Sequence, residues 1–166
     1  MNAKSEIMDR LRASLQDAPA APHVPRAYRR TSARAAAEVR DMLIDRLLDY
    51  KAAVHEVAPV ELPALLDRLI EGPVVFPDGL DPTWIPLVEE VGDPLGAACV
   101  VTSSTVSCAE TGTIFLTGQP DEGRRELSLI PDHHICIVPA DSVVELFPQA
   151  WERVGAAGLD GPITMI

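Results

Sequence analysis

Two stretches of this chain hold side chains suited to chemistry. The first is Ala109-Glu110-Thr111-Gly112-Thr113, leading into the apolar run Ile114-Phe115-Leu116. A glycine between two threonines can form a tight turn that offers backbone N–H groups and two hydroxyls to an anion. Glu110 beside it can serve as a base, a cation ligand or a turn cap, although Thr-Gly-Thr is also common in plain strand-edge turns. The second stretch is Gly123-Arg124-Arg125, followed by Ser128 and Pro131-Asp132-His133-His134. Adjacent arginines in a loop can hold a carboxylate or phosphate through bidentate hydrogen bonds. They can equally solvate the surface, or pair with Asp121, Glu122 or Glu126.

Other chemistries find less support. Ser128 lacks the Gly-rich elbow of a hydrolase nucleophile. Neighbouring histidines in an extended segment point to opposite faces. Without another His or Cys at ligand spacing, Asp132-His133-His134 is therefore not read as a metal site. One of the two histidines is expected inside, hydrogen-bonded. No GxGxxG and no GxxxxGK is present, so neither a dinucleotide site nor a nucleotide triphosphatase is supported. The three cysteines, Cys99, Cys108 and Cys136, match no CxxC pair or zinc pattern. They cannot hold an ordinary iron–sulfur centre, and Cys99 and Cys136 read as buried small hydrophobes. The candidates are thus Glu110 and His134 for proton transfer, and Thr111, Gly112, Thr113, Arg124 and Arg125 for anion binding, with no cofactor and no metal.

These residues need elements to position them. Residues 3–17 read as an amphipathic helix, with Ile7, Met8, Leu11 and Leu15 at spacings of three and four. Pro19, Pro22 and Pro25 make residues 18–28 a connector. A second helix is expected from an N-cap at Thr31 or Ser32 to about Tyr50. Strand and helix then alternate: a strand at 53–57, a helix at 60–70, a strand at 74–76, and a helix starting at Asp81-Pro82. Strands follow at 98–102, 113–116 and 135–138, then a helix capped by Asp141 and running through Val154, and a last strand at 162–166. Short strands that are apolar on both faces and separated by helices imply a parallel sheet covered on both sides. The expectation is an α/β, three-layer Rossmann-like sandwich with a mainly parallel sheet and an N-terminal helical arm. Residues 1–30 are assigned to the helix and Pro/Ala linker, and residues 31–166 to the α/β domain. Ligands in such sheets sit beyond the carboxyl ends of the strands, and residues 117–133 form the longest polar loop there. If strands 114–116 and 135–138 are neighbours, the candidate residues converge at one rim.

The motif residues resemble a known family. Val101-Thr102, then Ser107-Cys108-Ala109-Glu110-Thr111-Gly112-Thr113-Ile114, is similar to the signature of the lactate utilization protein domain, found in the lactate utilization protein C family. Gly123-Arg124-Arg125-Glu126-Leu127-Ser128-Leu129-Ile130-Pro131-Asp132-His133-His134-Ile135-Cys136-Ile137-Val138 resembles that family's second block, whose histidine falls on His134. Cys108 departs from the family's usual aliphatic residue. The family pattern also continues past the last strand with a Gly-Pro-Ser-Arg-Thr-like turn that this sequence lacks. Since the chain also stops inside an apolar run, a longer natural protein is expected.

The resemblance implies a fold like that of the sugar-phosphate isomerase and CoA-transferase superfamily. It further implies a part in oxidising L-lactate to pyruvate beside iron–sulfur partner proteins. Three readings follow. The chain is a non-redox component that binds a small organic or phosphate anion or organises its partners. Alternatively it is a stand-alone enzyme acting on a phosphorylated or CoA-linked small molecule, by fold analogy alone. Or it is a pure interaction module using the N-terminal helix, with a homo-oligomer as one form.

Composition agrees with these readings. At 166 residues and 47% hydrophobic content, the chain can bury one domain's core. A net charge of −11 repels a polyanion, so no nucleic-acid partner is expected. The apolar runs are far shorter than the roughly 20 residues a bilayer span needs, and no secretory pattern opens the chain. A cytoplasmic protein without a membrane partner is expected.

Overall fold

A computed structural model describes residues 3–16, 22–158 and 161–166. The final residue of the first expected helix, Asp17, and the start of the connector lie outside the described residues. Helix α1 (Ala3–Ser14) is followed by α2 (Ala36–Asp49), α3 (Leu62–Leu69) and α4 (Phe147–Ala157). The strands are β1 (Val74–Val75), β2 (Cys99–Thr102), β3 (Val106–Cys108), β4 (Thr113–Leu116), β5 (His133–Cys136), β6 (Val143–Val144) and β7 (Thr164–Met165).

The strands form two sheets. One is parallel, in the order β1-β2-β5; the other is mixed, in the order β6-β3-β4-β7. The chain is therefore mixed α/β, but the expected single, mainly parallel sheet is corrected. The reason is β3, which the sequence reading missed. Only residues 109–112 separate β3 from β4, too few for the crossover of a dozen or more that parallel strands require. The pair closes as an antiparallel hairpin, with Val106 opposite Phe115 and Cys108 opposite Thr113. β4 and β7 are also antiparallel, whereas β3 and β6 are parallel.

Each sheet has its own cover. On the parallel sheet, Leu62 and Leu66 of α3 pack against Val74, Cys99 and Val101. Its other face, through Val75 and Val100, is covered by Leu127. The 117–133 loop thus runs from β4 across that face before entering β5. On the mixed sheet, Ala150 and Val154 of α4 pack on Val106, Cys108, Phe115 and Val144. Val39 and Leu43 of α2 cover Ala109, with Val138 and Val143 beside them. Each fully buried Leu or Val of these clusters stabilises the fold by about 1.5–3 kcal/mol.

Several expected boundaries move for local reasons. α2 starts at Ala36, four residues after Ser32. Ser32 instead accepts the Arg34 N–H at 3.1 Å and donates its hydroxyl to Glu145, while the Glu38 carboxylate takes the Ala35 N–H at 2.9 Å. No helix follows Asp81-Pro82. Asp81 accepts from the Thr83 N–H and hydroxyl at 2.9 and 2.7 Å, and Pro86 forbids a second turn. Asp141 does not cap α4, because Pro148 inside a longer helix would clash with the turn before it; Val143–Val144 pair as β6 instead. Residues 53–57 lie outside either sheet. β5 begins at His133, so both histidines are strand residues.

Candidate functional site

The loop after β4 is built around one buried carboxylate. Glu122 is 2% exposed. It accepts the Thr117 N–H at 2.6 Å, the Gln119 N–H at 3.1 Å and the Thr105 hydroxyl at 2.6 Å. With the Thr117 hydroxyl at 3.4 Å, four donors converge on it, so the loop's turn is fixed from within. The same loop caps the carboxyl ends of the parallel strands: Ser103 N–H reaches the Asp121 carbonyl, and Gly79 N–H the Pro120 carbonyl, both at 3.0 Å.

Outside this turn lies an open cleft of about 590 Å³. Gly118, Gln119, Gly123, Arg124, Arg125 and Ser128 line one side; Gly158, Gly161 and Thr164 line the other. Arg124 pairs with Glu126 at 2.9 Å, which is the surface pairing one sequence reading anticipated. Arg125 makes no ion pair among the described residues, and its carbonyl accepts the Ser128 hydroxyl at 3.1 Å. Arg125 thus brings a guanidinium without an ion pair among the described residues to a cleft also lined by Gln119, Arg124 and the carboxylates Glu122 and Glu126. A second cleft of about 600 Å³ lies at the amino ends of β2 and β5, between Arg68, Glu71, Asp132 and His133. Parallel sheets bind ligands at their carboxyl ends, and neither Arg124 nor Arg125 lines this second cleft.

The other sequence candidates lie elsewhere. The Thr-Gly-Thr turn is at the amino end of β4, about 10 Å along the strand from its loop end. Gly112 has φ +68°, and a Cβ there would meet Arg46 Cβ at 2.8 Å and the Tyr50 ring at 3.1 Å. The turn therefore docks on α2, and the Thr111 and Thr113 hydroxyls bond each other at 2.8 Å. Glu110 is exposed and pairs with Arg29 at 3.2 Å. His134 is in the parallel sheet, opposite Val100, with Nε2 2.8 Å from the Thr102 hydroxyl. Burial, then the charge of His133, hold its pKa below the usual imidazole range. Since β4 and β5 belong to different sheets, the expected convergence of all these groups at one rim does not occur. Arg124, Arg125 and Ser128 come together; Glu110, the Thr-Gly-Thr turn and His134 stay apart.

The sequence reading placed one histidine, Cys99 and Cys136 inside; Cys99 is buried, whereas Cys136 and His134 are half-buried, His134 being the bonded histidine. Burial pushes the Cys99 thiol to about 11 and the Cys136 thiol to about 12, so neither supplies thiolate at neutral pH. Three residues were missed. Thr102 could have been found, as it ends a strand and belongs to the Val101-Thr102 pair that opens the family resemblance. Glu122 was read only as a surface partner for the arginines and Glu145 not at all, because a glutamate in a polar loop or before a helix reads as solvated. Glu145, 3% exposed, receives the Ser32 hydroxyl together with Arg29 and Arg34, each at 3.3 Å. The Ser32 bond first, then the two arginines, hold its pKa below the usual carboxylate value despite burial.

Comparison with known proteins fits this geometry. The LUD domain family model matches residues 94–162, a span that contains the cleft loop and most of both sheets. Lactate utilization protein C of Deinococcus radiodurans is 37% identical over 142 residues, which cover 78% of this chain and 67% of that protein. Lactate utilization protein C of Macrococcus caseolyticus is 39% identical over 56 residues, covering 34% of this chain and 24% of that protein. A crystal structure of a DUF162 family protein from Deinococcus radiodurans superposes with a TM-score of 0.76 at 34% identity, over 80% of this chain and 88% of that one. With that extent of identity and shared fold, the chain belongs to the lactate utilization protein C family.

Proposed function

We propose that this chain serves lactate utilization as a non-redox component, binding a small organic or phosphate anion in the Arg124–Arg125 cleft. The observation that carries the reading is the free Arg125 guanidinium at a cleft of about 590 Å³, inside the Gly-Arg-Arg block and within the matched domain. An arginine fork suits carboxylate or phosphate geometry. Glu126 holds Arg124 in reserve, so an incoming anion would exchange one carboxylate for another. Other lactate utilization proteins are the proposed partners, supported by the names of the relatives; that those partners carry iron–sulfur centres rests on the family resemblance alone. Kinship with the CoA-transferase-like sandwich is part of the same proposal, supported by the parallel β1-β2-β5 sheet with α3 on one face. Glu110 and His134 lie apart, so no joint acid–base step is included.

The test is a thermal-shift and calorimetric titration of wild type and Arg125→Ala with lactate, pyruvate and phosphate. Losing a charged hydrogen bond commonly costs about 1.5–3 kcal/mol, so Arg125→Ala should weaken binding roughly tenfold or more. Equal responses in both proteins, or none in either, remove the support for an anion site. Co-purification with iron–sulfur proteins from native cells tests the partner reading separately.

A further inference from the structure

The turn that carries the two arginines also leaves backbone donors open. Gly123 starts it at φ +72°, where an added Cβ would meet Leu127 at 2.5 Å and Pro77 at 3.2 Å. Backbone and packing both demand glycine there. The Leu127 N–H then closes on the Arg124 carbonyl at 2.9 Å, and the Ile130 N–H on the Glu126 carbonyl at 3.1 Å. Among the described residues, the N–H groups of Arg124, Arg125 and Glu126 find no acceptor. Successive free N–H groups in a turn make an anion-binding concavity. Here they belong to the same residues that line the cleft and carry the Arg125 guanidinium.

Charge and size narrow what such a cleft takes. Of its two carboxylates, Glu122 is buried among its own donors, and Glu126 already offers Arg124 an oxygen at 2.9 Å. A second carboxylate would therefore replace like with like. A phosphate monoester carries close to two negative charges and three terminal oxygens, which favours it over Glu126 and suits a guanidinium with several N–H donors. Lactate is also small for the space. Its six heavy atoms, at no more than a water's share of about 30 Å³ each, fill at most about 180 Å³. That is under a third of the cleft's 590 Å³. The facing wall leaves the remainder open. Gly161 has φ outside the left-handed region, and a Cβ there would meet nothing within 4 Å. Neither backbone nor packing requires glycine at that position, and its bare face keeps the cleft wide.

We infer that the cleft takes a phosphate monoester whose organic body is larger than lactate. The phosphate sits on Arg125 and the N–H groups of residues 124–126, and the body lies against Gly161. This rests on the reading of the cleft as an anion site and names the ligand class for it.

Calorimetric titration of the full chain with lactate, pyruvate, inorganic phosphate, AMP and glucose 6-phosphate ranks the classes, with adenosine and glucose as uncharged controls. Phosphate should bind more tightly than lactate, and at least one monoester more tightly than phosphate by about tenfold or more. Arg125→Ala should weaken phosphate and monoesters alike. Gly161→Leu should remove the monoester's advantage, and Gly161→Ala, the milder variant, should reduce it; circular dichroism checks each fold. Lactate or pyruvate binding more tightly than both monoesters, and losing that binding in Arg125→Ala, overturns the inference and leaves the anion site standing. Absence of binding by every anion removes both. A monoester advantage that survives both Gly161 variants overturns the inference, as does adenosine or glucose binding as well as its phosphate ester.

Discussion

His134 shows how a single side chain's partners convert sequence into behaviour. Its ring lies against the parallel sheet, bonded to Thr102 at 2.8 Å, and burial, with the neighbouring His133 charge, favours the neutral form. The folded pKa is thus below the unfolded one near 6.5. Its contribution to stability is fully present above that value and declines as pH falls below it, because unfolding then takes up a proton. Thermal midpoints measured from pH 8 to pH 5 should fall on the acid side. His134→Gln, which keeps a hydrogen-bonding amide for Thr102, should flatten that fall; an unchanged slope would place the acid sensitivity elsewhere. The inward histidine was legible because adjacent strand residues alternate. Its partner was not, since strand register decides that Thr102 meets Cys136 and reaches His134. Arg124 and Arg125 read alike by type as candidates for an anion, and only the fold reveals that Arg124 is held by Glu126 while Arg125 makes no ion pair among the described residues.

Elements were legible wherever apolar spacing ran long enough. The stripes of α1, α2 and α3 gave these helices, and the apolar runs gave β1, β2 and β4. Failures cluster at prolines and very short strands. Pro86 and Pro148 punctuate the chain more strongly than the Asp-Pro and Asp141 start signals that precede them, and a strand as short as β3 leaves no period to read. The 117–123 turn lies beyond pattern altogether, because its order comes from one carboxylate. Removing that carboxylate in Glu122→Ala orphans the Thr117 and Gln119 N–H groups and leaves the Thr105 hydroxyl only the Thr117 hydroxyl at 2.8 Å. A buried unsatisfied donor costs about 1–3 kcal/mol, and the losses overlap, so a total near 3 kcal/mol is expected. For a domain of this size that is a fall of roughly 6–12 °C in Tm. Glu122→Gln, which retains an acceptor, should lose less. Urea unfolding of the two variants measures the difference, and equal stability of both with wild type would remove the carboxylate from its organising role.

At the scale of the molecule, the two sheets are joined to a strap of N-terminal chain that composition alone would describe as a basic patch. Arg29 bridges Glu110 and Glu145, Arg30 holds Glu152 and Arg34 holds Glu145, so these arginines face inward partners rather than a polyanion. No helix among the described residues is long and apolar enough to cross a membrane. Exposed pairs such as Arg29–Glu110 and Arg30–Glu152 contribute at most about 1 kcal/mol each and weaken with salt. Glu145 differs: its carboxylate is buried and takes three donors, so its contribution is present above the ordinary carboxylate range and lost as pH falls below it. Arg26, exposed and without an ion pair among the described residues, stands just outside the strap. Brief trypsin treatment at low salt should therefore cut after Arg26 before Arg29, Arg30 or Arg34, releasing α1 and leaving a folded body. At 1 M salt, where the Debye length is about 3 Å, the ratio of cleavage after Arg30, held by the exposed Glu152 alone, to that after Arg26 should rise, while Arg29 and Arg34 stay protected by Glu145. Mass spectrometry of the fragments reads the order directly. Equal cleavage at all four arginines in low salt would show that the strap does not hold, and the arm would then begin at α2 rather than at Arg29.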